Sequence, residues 1–367
     1  MRFRSLWLAL LAGTLGAGPA LAADPLGRYP VDPTQISVSG ISSGAFMADQ
    51  LHVAHSADIM GVGMVAGGLY GCAVASADDQ GVTALASLAT GACMSRPALL
   101  RPVEHYAGQI RRFAAAGWID PVENLGRSRL YAFTGQSDHV VNPRTVRRGV
   151  EVYGLLGLLA AETTFRDGDL PVPGAGHAWV TQRFGGACDA NAAPYINDCH
   201  YDQAGQVLST IYGPLQPAVA QPGGRIVEFD QTPFVPGGAT AANGLLDTGV
   251  LYAPAACQDV QAAPCRLHVV LHGCLQSAEV LGDTFYRNIG VNEWADSNRI
   301  VVLYPQARSV GVRDFPTPRP TDIFNINPSG CWNWWGYAYD NRYLFKDGVQ
   351  VAALWAMVQT VTGRANR

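Results

Sequence analysis

Residues 35–44 read Gln35-Ile36-Ser37-Val38-Ser39-Gly40-Ile41-Ser42-Ser43-Gly44. An apolar-rich run ending in G-x-S-x-G is the pattern of a strand that delivers a serine to a tight strand-to-helix turn. Glycine is needed at 40 and 44 because a side chain there would crowd the meeting of strand and helix. The position is the difficulty. Sheets built around such a turn normally place several strands, and the loop that binds an oxyanion, ahead of it, and here only residues 1–39 precede it. Either the motif is a chance run of small residues, or the missing parts lie elsewhere in the chain.

Residues 45–54 carry apolar side chains at helical spacing, and 59–68 read as a buried strand. The glycines of that strand fall in G-x-G-x-x-x-G spacing, which is not the dinucleotide fingerprint. A further buried strand is expected over 129–135, running into Gln136-Ser137-Asp138, with a helix after Pro143. Residues 162–165 form another strand that leads to Gly174-Ala175-Gly176-His177. Serine, strand-end aspartate and strand-end histidine follow in the order used by α/β-hydrolases.

Beyond Phe184 the chain is loop-rich to about residue 264, with candidate strands at 225–230 and 250–253. Arg266–Leu271 then forms a strand delivering His272-Gly273-Cys274, the way lipases and esterases supply a second oxyanion donor. A helix around 291–295, a strand over 299–305, the stretch NPSGCWNWWGY at 327–337 and a final helix at about 348–361 complete the chain. The parts missing before the elbow are therefore present after the histidine. Joining Val361 to Gln35 restores the ordinary order. The sequence predicts a circularly permuted α/β-hydrolase fold, with a mostly parallel central sheet and helices on both faces. No repeat or shift in composition divides it, so one catalytic domain is expected over 23–367, without a separate polymer-binding domain.

The first 22 residues combine Arg2 and Arg4, an apolar stretch and Ala20-Leu21-Ala22, the layout of a secretory signal peptide. The apolar core is short for a membrane span, and no second long apolar segment follows, so no membrane anchor is expected. Cleavage removes two of the 25 basic residues and none of the 29 acidic ones, leaving a chain more acidic than the full one at −4. That balance, without a basic patch interleaved with aromatics, argues against nucleic acid.

Export to an oxidising compartment makes the eight cysteines disulfide partners. None forms C-x-x-C, so zinc and thioredoxin-like chemistry have little support. Eight cysteines allow 105 pairings and sequence does not choose among them. Short-range economy favours Cys72–Cys93, Cys188–Cys199 and Cys257–Cys265, which leaves Cys274–Cys331.

A serine hydroxyl is a weak nucleophile until a base accepts its proton. Ser42, the middle residue of the motif, is the candidate nucleophile, and His177, in its Gly/Pro loop after a strand, is the candidate base. Asp138 is the candidate acid that orients the imidazole. Asp167 and Asp169 are alternatives to it, and helix capping is a competing role that Asn142 could fill instead. The N–H groups of Ser43 and Cys274 are the candidate oxyanion donors. Pairing of Cys274 with Cys331 would hold the oxyanion turn against the tryptophan-rich loop.

These residues carry a resemblance. SVSGISSGAFMADQL, AGGLYGCA, TGQSDHVV, GAGHAW, LHGCLQ, YPQ and CWNWWGY together resemble secreted poly(3-hydroxybutyrate) depolymerases of the single-domain, circularly permuted type. The resemblance implies a monomeric serine esterase that cleaves a polyester of 3-hydroxy acids to soluble oligomers through an acyl-enzyme, without metal or cofactor. It implies the same roles for Ser42, Asp138, His177, Ser43 and Cys274, and makes Trp332 the aromatic residue lining the substrate crevice, with Trp334 and Trp335 either joining it or packing. A related secreted esterase acting on feruloyl, acetyl or other small soluble esters would share these residues. A non-catalytic binding protein on the same scaffold should lack a member of the triad, and none is missing here.

Overall fold

Among the described residues twelve strands organise the fold: β1 (Val31–Ile41), β2 (Ile59–Val65), β3 (Val74–Asp78), β4 (Gly81–Ala84), β5 (Arg129–Phe133), β6 (Thr163–Arg166), β7 (Trp179–Thr181), β8 (Ile196–Asp198), β9 (Arg225–Asp230), β10 (Thr248–Ala253), β11 (Cys265–Leu271) and β12 (Ile300–Tyr304). The computed structural model describes residues 23–364 except 168–171 and 173. The expected signal peptide and Asp169 lie outside the described residues.

Eight strands form one sheet in the order β6-β5-β2-β1-β11-β12-β10-β9. The run from β6 to β12 is parallel throughout, and β10 and β9 add antiparallel to its edge. The pairs β3–β4 and β7–β8 stand apart as two-stranded ribbons. β1 lies between β2 and β11, so the elbow at its end opens near the middle of the sheet.

Parallel strands covered on both faces need apolar side chains on both. The chain meets this by alternation. Ile36 and Val38 of β1, Leu267, Val269 and Leu271 of β11 and Val301 and Leu303 of β12 share one core with helices Ser43–Ala54, Val103–Ala115, Pro143–Leu155 and Val349–Thr362. Val270, Ile300, Val302 and Tyr304 face the other core, against helices Gln203–Tyr212 and Val291–Ser297. Each such aliphatic side chain contributes ~1.5–3 kcal/mol on burial.

The second face has a polar centre. His268 lies between Ser37 Oγ, 2.6 Å from Nδ1, and Ser39 Oγ, 2.8 Å from Nε2. Ser37 donates to the Tyr212 hydroxyl, which donates to Leu267 O. Ser37 therefore accepts from Nδ1–H while Ser39 donates to Nε2, and the ring is neutral. Burial pushes its pKa down to about 3.

The backbone N–H of Tyr29 donates to Val361 O at 2.9 Å, so the segment entering β1 is bonded to the last helix. This is the junction that the permuted order requires. Two helices, Val103–Ala115 and Gln203–Tyr212, and the β3–β4 ribbon lie where the sequence reading places no element. The second helix is capped by Asp202, whose Oδ1 accepts from Gly205 N, and it buries Ala204, Val207, Leu208 and Ile211 at helical spacing.

Candidate active site

Ser42 has φ 56° and ψ −123°, a left-handed conformation that costs a non-glycine residue energy and persists only where its surroundings impose it. Here they do. Its N–H donates to Val65 O at the end of β2, and its carbonyl accepts from Ala45 and Phe46, which starts the helix Ser43–Ala54. A Cβ at position 40 would collide with the backbone oxygens of Gly44 and Leu271, and one at 44 with those of Leu271 and His272. The two glycines of the motif let the elbow press directly against the end of β11.

His177 is buried, and its Nδ1 lies 2.8 Å from Asp138 Oδ2. The carboxylate can only accept, so Nδ1 carries the proton and Nε2 is left as a base. The other carboxylate oxygen, Oδ1, accepts from Val140 N and Val141 N at 2.9 and 2.8 Å. Capping of the next helix falls to Asn142, which accepts from Arg144 N. Asp167, the alternative acid, pairs with Arg147.

Asn191 ties the two loops together. Its Oδ1 accepts from both His139 N and His177 N at 3.0 Å, and its Nδ2 donates to Ser137 O and Asp189 O. The residues on either side of Asp138 and the backbone of His177 thus share one side chain.

At the end of β11, Gly273 N donates to Gln276 Oε1 at 2.7 Å and Leu275 N to Ser329 O at 2.8 Å. Cys274 N, between them, has no acceptor among the described residues, and neither has Ser43 N at the head of its helix. His272 is held in the neutral form. Its Nε2 accepts from Ala307 N, so Nδ1–H donates to Gly273 O, and burial brings its pKa down to about 4.

Ser42, Ser43, His177, Gly273 and Cys274 line a single cavity of about 510 Å³. Its walls are mainly apolar: Phe46, Ala89, Met94 and Val141 on one side, with Leu275, Ile326, Trp334 and Trp335 also contributing. Phe46 and Trp334 stack at 4.1 Å with 9° between planes, and Trp335 meets Trp334 edge-on. Ile323 and Phe324 stand at the mouth with 57% and 79% of their surface exposed.

All eight cysteines are paired, as Cys72–Cys93, Cys188–Cys199, Cys257–Cys265 and Cys274–Cys331. The last bond joins the oxyanion turn to the tryptophan-rich loop.

No family model matches the chain. A poly(3-hydroxybutyrate) depolymerase of Delftia acidovorans is 39% identical over 350 residues, covering 95% of this chain. The chain spans 63% of that relative's length, less than two thirds. A polyhydroxybutyrate depolymerase of Talaromyces funiculosus is 35% identical over 370 residues, 97% of this chain and 96% of the relative. The chain belongs to the polyhydroxybutyrate depolymerase family. Two solved depolymerase structures share its fold. One from Penicillium funiculosum has TM-score 0.76 at 31% identity, and a serine-to-alanine form complexed with an R3HB trimer has 0.77 at 32%. Each match covers 93% of this chain and 100% of the other. The α/β-hydrolase architecture expected from the sequence is the one this chain adopts.

One expected site residue is elsewhere. Trp332 does not line the cavity: it is fully buried, with Nε1–H donating to His272 O at 2.9 Å and its ring 5.4 Å from the His272 ring. Cys331 lines the cavity, whereas the next side chain lies against His272 at the end of β11. Trp334 and Trp335 line the cavity in its place. The sequence reading also passed over Asn191, Tyr195 and Gln276. Gln276 lay inside the motif LHGCLQ, three residues after Gly273, a spacing that lets a side chain reach back to its own turn.

Among the described residues no helix is long and apolar enough to cross a membrane.

Proposed function

We propose that this protein is an exported, monomeric serine esterase that hydrolyses poly(3-hydroxybutyrate) and related polyhydroxyalkanoates to soluble hydroxyacid oligomers, with residues 23–367 as one catalytic domain and no cofactor. The observation that carries the proposal is the meeting, in one mainly apolar cavity, of Ser42, the Asp138-linked His177 and the unpaired N–H groups of Ser43 and Cys274. Membership of the depolymerase family supports the substrate class. The four disulfides support export, since such bonds persist in oxidising compartments.

In this reading Ser42 Oγ attacks the ester carbonyl carbon and its proton passes to His177 Nε2, while Asp138 stabilises the imidazolium. The carbonyl oxygen becomes an oxyanion facing the Ser43 and Cys274 N–H groups, each worth ~3–4 kcal/mol of barrier. Collapse breaks the C–O bond to the leaving oligomer, whose hydroxyl takes the proton from His177. Water then enters and bonds to the acyl carbon as its proton passes to His177; collapse breaks the bond to Ser42 Oγ, which takes that proton back from His177 as the acid leaves. The walls formed by Phe46, Trp334 and Trp335 suit an aliphatic polyester chain. Leu275, Ile323 and Phe324, exposed at the mouth, give the catalytic domain an apolar contact with a solid substrate.

The test is incubation of purified protein with an amorphous poly(3-hydroxybutyrate) suspension, with soluble products identified by mass spectrometry. Release of hydroxybutyrate oligomers that Ser42→Ala abolishes and Ser43→Ala largely keeps is the expected result, because residue 43 contributes only its main chain. Turnover of acetyl or feruloyl esters with no attack on polymer would move the protein to the small-ester reading.

A further inference from the structure

We infer that Gln276 is the positioning residue of the oxyanion turn, coupling the main-chain donor of Cys274 to the wall that touches the catalytic histidine. The inference rests on the esterase reading above.

The run His272-Gly273-Cys274-Leu275-Gln276 leaves β11 and reverses, with Leu275 in the left-handed region at φ 60°. Three consecutive N–H groups project from it. Two are taken: Gly273 by Gln276 Oε1 and Leu275 by Ser329 O. Only Cys274 N–H is left toward the cavity. A peptide plane is rigid, so a bond that fixes the Gly273 N–H also fixes the carbonyl before it and limits how far the next plane can rotate. Without that bond a buried N–H would be unsatisfied, at a cost that drives the turn to re-form around a different acceptor. The direction of the Cys274 donor would be lost with it.

The far end of the same side chain faces the other wall. Gln276 Nε2 donates to Pro194 O at 2.8 Å and Tyr195 O at 3.1 Å, so both of its hydrogens are used. Tyr195 lines the cavity and meets the His177 ring edge-on, 5.8 Å between centroids at 80°. A Cβ at Gly273 would lie 2.8 Å from Gln276 Oε1 and 3.2 Å from Ser42 Cβ, so amide, turn and elbow are in mutual contact. Gln276 is itself buried, 1% exposed. One amide thus sets the spacing between the oxyanion donor and the segment that backs the base. Gln276 borders the cavity, but its amide oxygen and both amide hydrogens are bonded within the protein, so its effect should fall on the transition state rather than on substrate binding.

The experiment compares wild type, Gln276→Leu and Gln276→Glu on a soluble p-nitrophenyl ester and against a boronic acid that adds to Ser42 as a tetrahedral adduct. Gln276→Leu should lower kcat by up to about 100-fold, the lower end of what a lost oxyanion donor costs, with KM changed little. The boronate should weaken in proportion. Gln276→Glu keeps an acceptor for Gly273 N–H and should recover part of both. If Gln276→Leu does not fold, Gln276→Asn replaces it, since the shorter amide cannot span both partners and should show the same two losses. Wild-type kcat in the leucine or asparagine variant overturns the inference. So does a kcat loss with unchanged boronate affinity, or a loss confined to KM. Failure of the wild-type protein to hydrolyse the ester or bind boronate through Ser42 strikes the esterase reading itself, a result distinct from any of these.

Discussion

The His177 backbone N–H donates to the Asn191 side-chain oxygen at 3.0 Å, and that same oxygen accepts from the residue following Asp138. The proposed acid and base therefore reach each other from loops fastened to one amide. Asn191→Ala should lower kcat on a soluble ester about 10-fold while KM stays near wild type, because the hydrogen bond that orients the imidazole loosens. Asn191→Asp keeps the acceptor and should recover part of the loss. Wild-type kcat in Asn191→Ala would reduce Asn191 to a loop staple.

Cys274 and Cys331 close a loop of 57 residues beside the oxyanion turn. Replacing both with serine should cost ~2–5 kcal/mol of stability and also lower kcat, because the turn loses its tether to the tryptophan-rich loop. Cys257→Ser with Cys265→Ser opens a bond at the opposite end of β11. That pair should lower Tm and leave kcat nearly unchanged. Equal effects on kcat would show that the Cys274–Cys331 bond has no local role.

Trp332 and Trp335 should separate cleanly. Trp332→Ala removes a fully buried ring and its bond to His272 O, with an expected loss of ~3–5 kcal/mol and reduced activity on every ester. Trp335, half-buried at the cavity wall, should act on substrate length. Trp335→Ala should weaken polymer hydrolysis several-fold more than p-nitrophenyl ester hydrolysis, with little change in Tm, because only a long substrate reaches it. Rates on both substrates with parallel thermal melts test the pair.

His268 makes stability depend on pH. Its folded pKa near 3 lies below the ordinary 6.5, so between those values the unfolded chain binds a proton that the native state refuses. The stability this ring contributes is present above pH 6.5 and is lost as pH falls toward 3, by about 1.4 kcal/mol per unit. Gln in place of His268 can still face Ser37 and Ser39 but does not titrate. Urea unfolding at pH 7.5 and 4.5 should show a smaller acid loss in the variant, by about 2.7 kcal/mol. An unchanged loss would place the acid sensitivity on other buried histidines, such as His52 and His55.

Much of the site was legible because its parts are local. Ser42, Asp138, His177 and Cys274 each sit in a short strand-end pattern, and glycines at 40 and 44 follow from sterics that hold wherever such a turn is built. Which tryptophan faces the cavity depends instead on the disulfide at Cys331 and on a carbonyl of His272, neither of which adjacent residues determine. Asn191 and Gln276 escaped for a related reason. Their partners are main-chain groups, and Gln276 meets Pro194 across 82 positions. The helix Gln203–Tyr212 carries a regular apolar stripe, but it is short and lies between loops.

The pairing of β1 with β11 also orders events in time. Ser39 and His268 touch across 229 positions, and the oxyanion turn follows β11 directly. During synthesis the elbow is among the first parts made, yet one edge of β1 stays unpaired until β11 arrives. Contacts of such long range form slowly, and an open edge invites association with other chains. In the proposed mechanism a growing chain that already contains Ser42, Ser43, Asp138 and His177 still lacks the oxyanion donor at Cys274. On the proposed reading its site is complete only when the last third of the polypeptide closes the sheet.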